Sequence, residues 1–325
     1  MQCDKCDRDA VVYAAYAGSH HCERHFRRSV EKRVRRRIRK DGLVTEDAEP
    51  EDPATWLIGL SGGKDSAVLT HILAETFGED PRIELVALSI HEGIEDYRDE
   101  SLAAARSLVA DLPVRYETAS YEAEFGIEMD QVAAEDPLDM APCAYCGVFR
   151  RDVLSAYAAA FEADLLLTGH NLDDEAETAL MNVLEGDVAQ MAQHFDASLG
   201  PLPRREETEA FVPRAKPLRD IPENEVALYA HLADLPAHIA ECPYASESFR
   251  GTVRDLLLEL EDDHPGTRHS ILSGYEELAA MAADSYRRSE EGTGTDEPSG
   301  TCAECGRPTE RDRCRACELQ AVLAE

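Results

Sequence analysis

Apolar residues along this chain follow two rhythms that alternate through its middle. Phe26, Val30, Val34 and Ile38 recur every four residues and predict a helix with a narrow apolar stripe. Trp56-Leu-Ile-Gly-Leu60 is an apolar run of strand length, and Val68, Leu69, Ile72 and Leu73 then follow at helical spacing. Ile83-Glu-Leu-Val-Ala-Leu-Ser-Ile90 reads as a second strand, Tyr97 to Ala110 as a helix, and Val114 to Thr118 as a third strand. Asp164-Leu-Leu-Leu-Thr-Gly-His170 reads as a fourth, feeding a helix from Asp173 to Leu184. This alternation predicts an α/β fold with a doubly wound parallel sheet, whose ligands sit at the carboxyl ends of the strands. Beyond Pro213-Arg-Ala-Lys-Pro-Leu-Arg219, the stretches Glu223 to Leu235, Leu256 to Leu260 and Ile271 to Ala283 predict a helical lobe. Asp41 to Pro53 reads as an acidic linker, and Glu290 to Ser299, rich in Gly, Glu, Thr and Pro, as a flexible one.

Composition changes how the charges are read. Over 325 residues the formal net charge is −33, with acids throughout and Lys at only five positions. A diffuse acidic, lysine-poor surface stays hydrated in concentrated cytoplasmic salt, so the charge is read as a halophile's solvent adaptation, with stability expected to depend on KCl. One segment breaks the pattern: Phe26-Arg-Arg-Ser-Val-Glu-Lys-Arg-Val-Arg-Arg-Arg-Ile-Arg-Lys40 surrounds its apolar stripe with positive charge. A solvated face usually explains such a run, but in so acidic a chain it predicts nucleic-acid contact. No apolar run of about 18 residues is present and Met-Gln-Cys-Asp lacks a secretory core, so a cytoplasmic protein without membrane spans is expected.

The first strand empties into Ser61-Gly62-Gly63-Lys64-Asp65-Ser66. Gly62 and Gly63 let backbone N–H groups approach an anion, Ser61 and Ser66 offer hydroxyls, and Lys64 adds a point charge at a helix start. The spacing is not that of the Walker loop, which sets γ-phosphate transfer aside. A glycine turn ahead of a core helix is the bland alternative. Leu60 enters the loop, while Ser89 and Ile90 end the second strand where an amide and an apolar side chain would hold adenine. Gly169-His-Asn-Leu-Asp-Asp-Glu-Ala176 lies at the same edge. Its two acids are either N-terminal caps or, beside such a loop, Asp173 or Asp174 as a ligand for the Mg2+ that accompanies ATP.

Ten cysteines in a cytosolic chain point to metals. Cys3-x2-Cys6 with Cys22-x2-His25, and Cys302-x2-Cys305 with Cys314-x2-Cys317, each supply four tetrahedral ligands for zinc; His20 and His21 are read as surface residues. Cys143, Cys146 and Cys242 are left over. Three thiolates hold three corners of a four-iron cluster with the fourth iron open, or form a third zinc site, or act as a persulfide pair cycling through a disulfide. Buried inert thiols are the remaining alternative. The expected organisation is therefore a zinc module at 1–27, a basic helix and linker at 28–53, a nucleotide domain at 54–220, a helical lobe at 221–288 carrying Cys242, a linker at 289–300 and a second zinc module at 301–325.

The loop at Ser61 resembles the PP-loop of the ATP pyrophosphatases, HUP-like enzymes that grip pyrophosphate and leave AMP on a carbonyl oxygen. The order zinc module, PP-loop, Cys143-x2-Cys146, Gly169-His170-Asn171, lone Cys242-Pro243, zinc module is similar to that of the tRNA 2-thiouridine synthetases across nearly the whole chain. The resemblance implies ATP-dependent sulfur transfer to C2 of a tRNA uridine, with a ubiquitin-like thiocarboxylate as donor and a homodimeric enzyme. It also implies an oxygen-sensitive [4Fe-4S] cluster on Cys143, Cys146 and Cys242, with cluster-bound sulfide or a persulfide displacing AMP. Asp174 would orient Mg2+ or the attacking oxygen, and the zinc modules and basic helix would position tRNA. Arg150, four residues after Cys146, departs from the lysine expected of the family, though a cation there still neutralises phosphate. The wobble uridine is favoured over ribothymidine, whose thiolation serves thermal stability. A PP-loop amide-forming or argininosuccinate-type ligase has no need of ten metal-spaced cysteines, and a non-catalytic zinc-finger RNA adaptor would turn over no ATP.

Overall fold

The computed structural model describes residues 1–44, 48–196, 212–244, 249–291, 301–307, 309 and 311–323. A hairpin opens the chain, β1 (Val12–Ala14) antiparallel to β2 (Ser19–His21), and runs into α1 (Glu23–Lys40). Next come β3 (Ala54–Gly59), α2 (Lys64–Phe77), β4 (Ile83–His91), α3 (Tyr97–Val109) and β5 (Arg115–Ser120). Helices α4 (Tyr121–Phe125), α5 (Met129–Glu135) and α6 (Pro142–Ala160) precede β6 (Leu165–Leu167), α7 (Leu172–Glu185) and α8 (Val188–Asp196). The remainder is β7 (Arg214–Ala215), α9 (Glu223–Leu232), α10 (Phe249–Asp263), α11 (Thr267–Glu291) and α12 (Arg315–Leu323).

Strands β3 to β7 form one parallel sheet in the order β5-β4-β3-β6-β7. Winding reverses between β3 and β6, so the loops leaving these two strands part there and open a crevice at the carboxyl edge. Side chains alternate across the sheet and separate two cores. Trp56 and Ile58 of β3 pack with Val68 and Ile72 of α2, Tyr229 of α9 and the stripe of α1. Leu57, with Val86 and Leu88, faces Tyr145, Phe149 and Val153 of α6 and Leu319 of α12.

The four-residue stripe is thus a core element. Phe26, Val30, Val34 and Ile38 are at most 1% exposed, and each such burial stabilises the fold by about 1.5–3 kcal/mol. A charge at Val34 would detach the helix. Several boundaries differ from the periodicity. Helix α2 begins at Lys64, because Gly63 is its N-cap in extended conformation, so Lys64, Asp65 and Ser66 form the first helical turn. Helix α9 stops at Leu232, ahead of Asp234, whose φ is +50°. Helix α11 continues through Glu291, and the rest of the expected linker, 292–300, lies outside the described residues, as do 45–47 of the acidic linker.

Candidate active site and metal centres

The loop after β3 is a closed hydrogen-bonded cup. The Ser61 amide donates to Ser66 Oγ at 3.1 Å, the two hydroxyl oxygens lie 3.0 Å apart, and Gly63 N–H donates to Ser61 Oγ at 3.3 Å. Gly62 has φ +84°, and a Cβ there would run into the backbone carbonyl of Ser101, so only glycine fits. Lys64 Nζ donates to Asp65 Oδ2 at 3.0 Å and Glu223 Oε1 at 2.7 Å. Burial alone would depress the lysine's pKa, but the two carboxylates more than offset it and raise it.

The loop after β6 meets this cup. A Cβ on Gly169 would lie 2.9 Å from the amide nitrogen of Ser66, so glycine permits the close approach. Asn171 caps α7, accepting from the amides of Asp173 and Asp174, while its Nδ2 donates to Asp65 Oδ1 at 3.0 Å. The two adjacent acids then separate in role. Asp173 accepts from the Glu223 amide at 2.8 Å and pairs with Arg268 at 3.0 Å, which makes it a structural cap for α9. Asp174 closes the capping box through Oδ2, and burial together with the neighbouring Asp65 charge pushes its carboxyl up to about 7. Asp65, held by Lys64, and Asp174 thus bring two carboxyl groups to one corner of the cup.

The cysteine trio reaches the cup by two routes. The segment after α9 pairs with the loop: His238 N–H donates to the Gly62 carbonyl at 2.8 Å, and its ring sits 5.3 Å from that of Tyr97. Cys242 follows four residues later, and Tyr244 anchors the far side by donating to Asp130 Oδ1 at 2.7 Å. The second route is a chain of charges. Arg98 donates to the Ser61 carbonyl at 3.0 Å and pairs with Glu92, which is 3% exposed; Glu92 Oε1 accepts from Arg150 Nε at 3.1 Å, and Arg150 Nη2 donates to Cys146 Sγ at 3.1 Å. Cys143, exposed on the first turn of α6, donates to the Tyr244 carbonyl at 3.4 Å. Burial pushes the Cys146 and Cys242 thiols up; the Arg150 guanidinium opposes this at both, and the other thiols of the trio add to it.

Among the described residues only the two terminal sets bring four ligand atoms within 4.8 Å of one another. In those sets Cys6 and Cys22 sulfurs are 3.7 Å apart, as are those of Cys305 and Cys314, while His25 Nδ1 lies 3.3–3.6 Å from the three N-terminal sulfurs. A tetrahedron with metal–sulfur bonds of about 2.3 Å has edges near these values. Cys143, Cys146 and Cys242 do not form such a compact set.

A groove of about 730 Å³ runs between the N-terminal module and α1, lined by Lys5, Arg28, Lys32, Arg35 and Arg36. The inward arginines are engaged: Arg33 pairs with Glu225, and Arg37 with Asp41 at 2.7 Å.

Comparison with known proteins shows the family. Residues 30–260 match the PP-loop domain model, and residues 2–27 match the model described as 2-thiouridine synthetase TtuA, N-terminal LIM domain. The chain is 62% identical to the tRNA 2-thiolation protein NcsA of Haloferax volcanii over 98% of both chains. The chain belongs to the PP-loop tRNA 2-thiolation family. Its similarity to the cytoplasmic tRNA 2-thiolation protein 1 of Danio rerio is 33% over 98% of this chain and 87% of the relative. The solved U34-tRNA thiolase NcsA from Methanococcus maripaludis with its [4Fe-4S] cluster superposes with TM-score 0.80 at 32% identity, covering 99% of this chain and 96% of that one.

In this thiolation-family chain the sequence-derived residues fall into three places. Leu60, buried at 1%, and Ser61 to Ser66 form the cup with Gly169 and Asp174. Ile90 is buried at the end of β4 and its carbonyl accepts from Arg98. Arg150 joins Cys146 to Glu92. Glu92, Arg98 and His238 were not legible as site residues. Their one sequence signal is that Glu92 and Arg98 flank the turn directly after the second strand, where sheet-edge ligands lie.

Proposed function

We propose that this chain performs ATP-dependent 2-thiolation of the wobble uridine of tRNA. The observation that carries the reading is the junction of cup and cysteines: His238 is hydrogen-bonded to Gly62, and Cys242 follows within four residues. Uridine C2 bears a poor leaving group, its carbonyl oxygen. Attack of that oxygen on the α-phosphate of ATP forms an adenylate and expels pyrophosphate. The amides of the cup, with Lys64, hold the negative charge of the departing group, and Asp174 with Asp65 would hold Mg2+. A sulfur nucleophile presented at Cys143, Cys146 and Cys242 attacks C2, and the oxygen leaves with AMP.

A [4Fe-4S] cluster on those three cysteines supplies, when bound, an iron with an open position for a sulfur ligand. Zinc on each terminal set supplies structural cross-links. Arg150 then provides a fixed cation beside Cys146 for the phosphate of the adenylate. The groove on α1 offers Arg28, Arg35 and Arg36 to the tRNA backbone, where the planar guanidinium keeps bidentate phosphate geometry under high salt. A ubiquitin-like thiocarboxylate as sulfur donor, a homodimeric enzyme and a cytoplasmic location belong to the same proposal. No helix among the described residues is long and apolar enough to cross a membrane.

Mass spectrometry of tRNA nucleosides from cells lacking the chain tests the reading. Loss of 2-thiouridine from position 34 of single isolated tRNAs is expected, restored by the wild-type chain and not by Cys143→Ala, which keeps ATP binding. Unchanged 2-thiouridine would refute it.

A further inference from the structure

We propose that the C-terminal four-cysteine module is a clamp on the helix that carries Cys143 and Cys146, and is not a contact for RNA. The proposal rests on the reading of those two cysteines as the sulfur-handling pair. Cys314 immediately precedes α12 and Cys317 lies in its first turn, so two of the four metal ligands fix where that helix starts. The knuckle closes on itself: Cys302 N–H donates to the Arg307 carbonyl at 2.8 Å, and Cys314 N–H to Cys302 Sγ at 3.3 Å.

From this base α12 lies against α6. Leu319, 0% exposed, and Ala316 enter the core built by Tyr145 and Phe149, the residues on either side of the Cys146 turn. Gln320 Nε2 donates to the Phe125 carbonyl at 3.1 Å, and the Phe125 ring rests 4.8 Å from that of Phe149. Polar fastenings lie on both sides of the cysteines along the chain. The Arg315 guanidinium donates to Met140 Sδ at 3.8 Å, before α6 begins, and Arg307 pairs with Asp152, after Cys146.

Charge separates a clamp from an RNA finger. Every described arginine of the module faces a carboxylate: Arg307 faces Asp152, Arg313 faces Glu304, and Arg311 and Arg315 lie 3.6 and 3.0 Å from Glu318. On α1, Arg35 lies 3.6 Å from Glu31, while Arg28, Lys32 and Arg36 beside it line an open groove. A module of this length has too little core to hold its shape without cross-links, so removing its metal releases α12 and with it the cover over α6.

Hydrogen exchange on the full-length protein tests this, with tRNA affinity and iron content measured on the same samples. In Cys302→Ser/Cys305→Ser, zinc content falls by about half and exchange across 142–153 rises about tenfold or more, while β3 and β4 keep their protection. Affinity for tRNA stays within about twofold of wild type, and bound iron is lost faster. Should that variant unfold as a whole, Leu319→Ala keeps all four ligands. It is expected to raise exchange in α6 alone, because it empties a fully packed site, and Leu319→Met is expected to restore it. Unchanged protection of α6 in Leu319→Ala overturns the clamp, as does a large loss of tRNA affinity in the cysteine variant with α6 intact. These readouts do not depend on thiolation, so they fail or succeed separately from the function proposed above.

Discussion

Replacing Glu92 by Gln removes the negative centre from a buried row of charges. The Glu92 and Arg98 side chains are 3% and 5% exposed, while the Arg150 side chain is 51% exposed. Breaking one partner of a buried ion pair costs about 3–5 kcal/mol, because the other charge remains desolvated. Arg98 keeps the Ser61 and Ile90 carbonyls as acceptors, which places the expected loss near the lower end, about 3 kcal/mol. Arg150 behaves differently, since it turns to water when released; Arg150→Gln should cost under about 1 kcal/mol. Glu92→Gln loosens the cation beside Cys146 and Arg150→Gln removes it, so both should slow thiolation, whereas only Glu92→Gln should be markedly less stable. Urea unfolding of the protein with its terminal metal sites filled, followed by tryptophan fluorescence of the buried Trp56, measures the difference. A Glu92→Gln variant within about 0.5 kcal/mol of wild type would refute the argument that the row is buried and paired.

Three further outcomes follow from single features. Gly62→Ala must move either the loop or the Ser101 carbonyl, so ATP affinity by calorimetry should fall at least about tenfold with the overall fold retained, and unaltered affinity would speak against the cup. Asp174 ionises near 7 in the folded chain against about 3.8 unfolded, so folding loses stability as pH rises from about 4 to 7 and no further above that. Asp174→Asn escapes this loss, and without Mg2+ its stability relative to wild type should climb through that window and then level; a gap independent of pH would contradict the burial of the carboxyl. Arg35→Glu with Arg36→Glu should weaken tRNA binding by filter assay and leave ATP affinity unchanged, and equal tRNA binding would remove the groove from the account.

Much of the fold was legible because its rhythms are long. The stripe from Phe26 to Ile38, the run into Ser61 and the second strand are each set by burial on one face, and they stand where the periodicity put them. Strand β7 has two residues, too few to carry a period. Helix α6 shows a weak period, because its buried residues, Tyr145, Phe149, Val153, Leu154 and Ala158, alternate with half-buried apolar ones such as Val148, Ala156 and Tyr157 that blur the stripe. The site divides the same way. Loop and cysteine spacings are local and could be read. The row Arg98, Glu92, Arg150 spans 58 residues of sequence and exists only once α6 lies over β4, and the inward turn of Arg33 and Arg37 is decided by Glu225 and Asp220 far along the chain.

The most direct test is a structure of the anaerobically purified chain with a nonhydrolysable ATP analogue. The account places the β- and γ-phosphates in the cup of Ser61 to Ser66 and iron on Cys143, Cys146 and Cys242, both facing one crevice between β3 and β6. Nucleotide bound away from Lys64, or iron on any other residues, would contradict it.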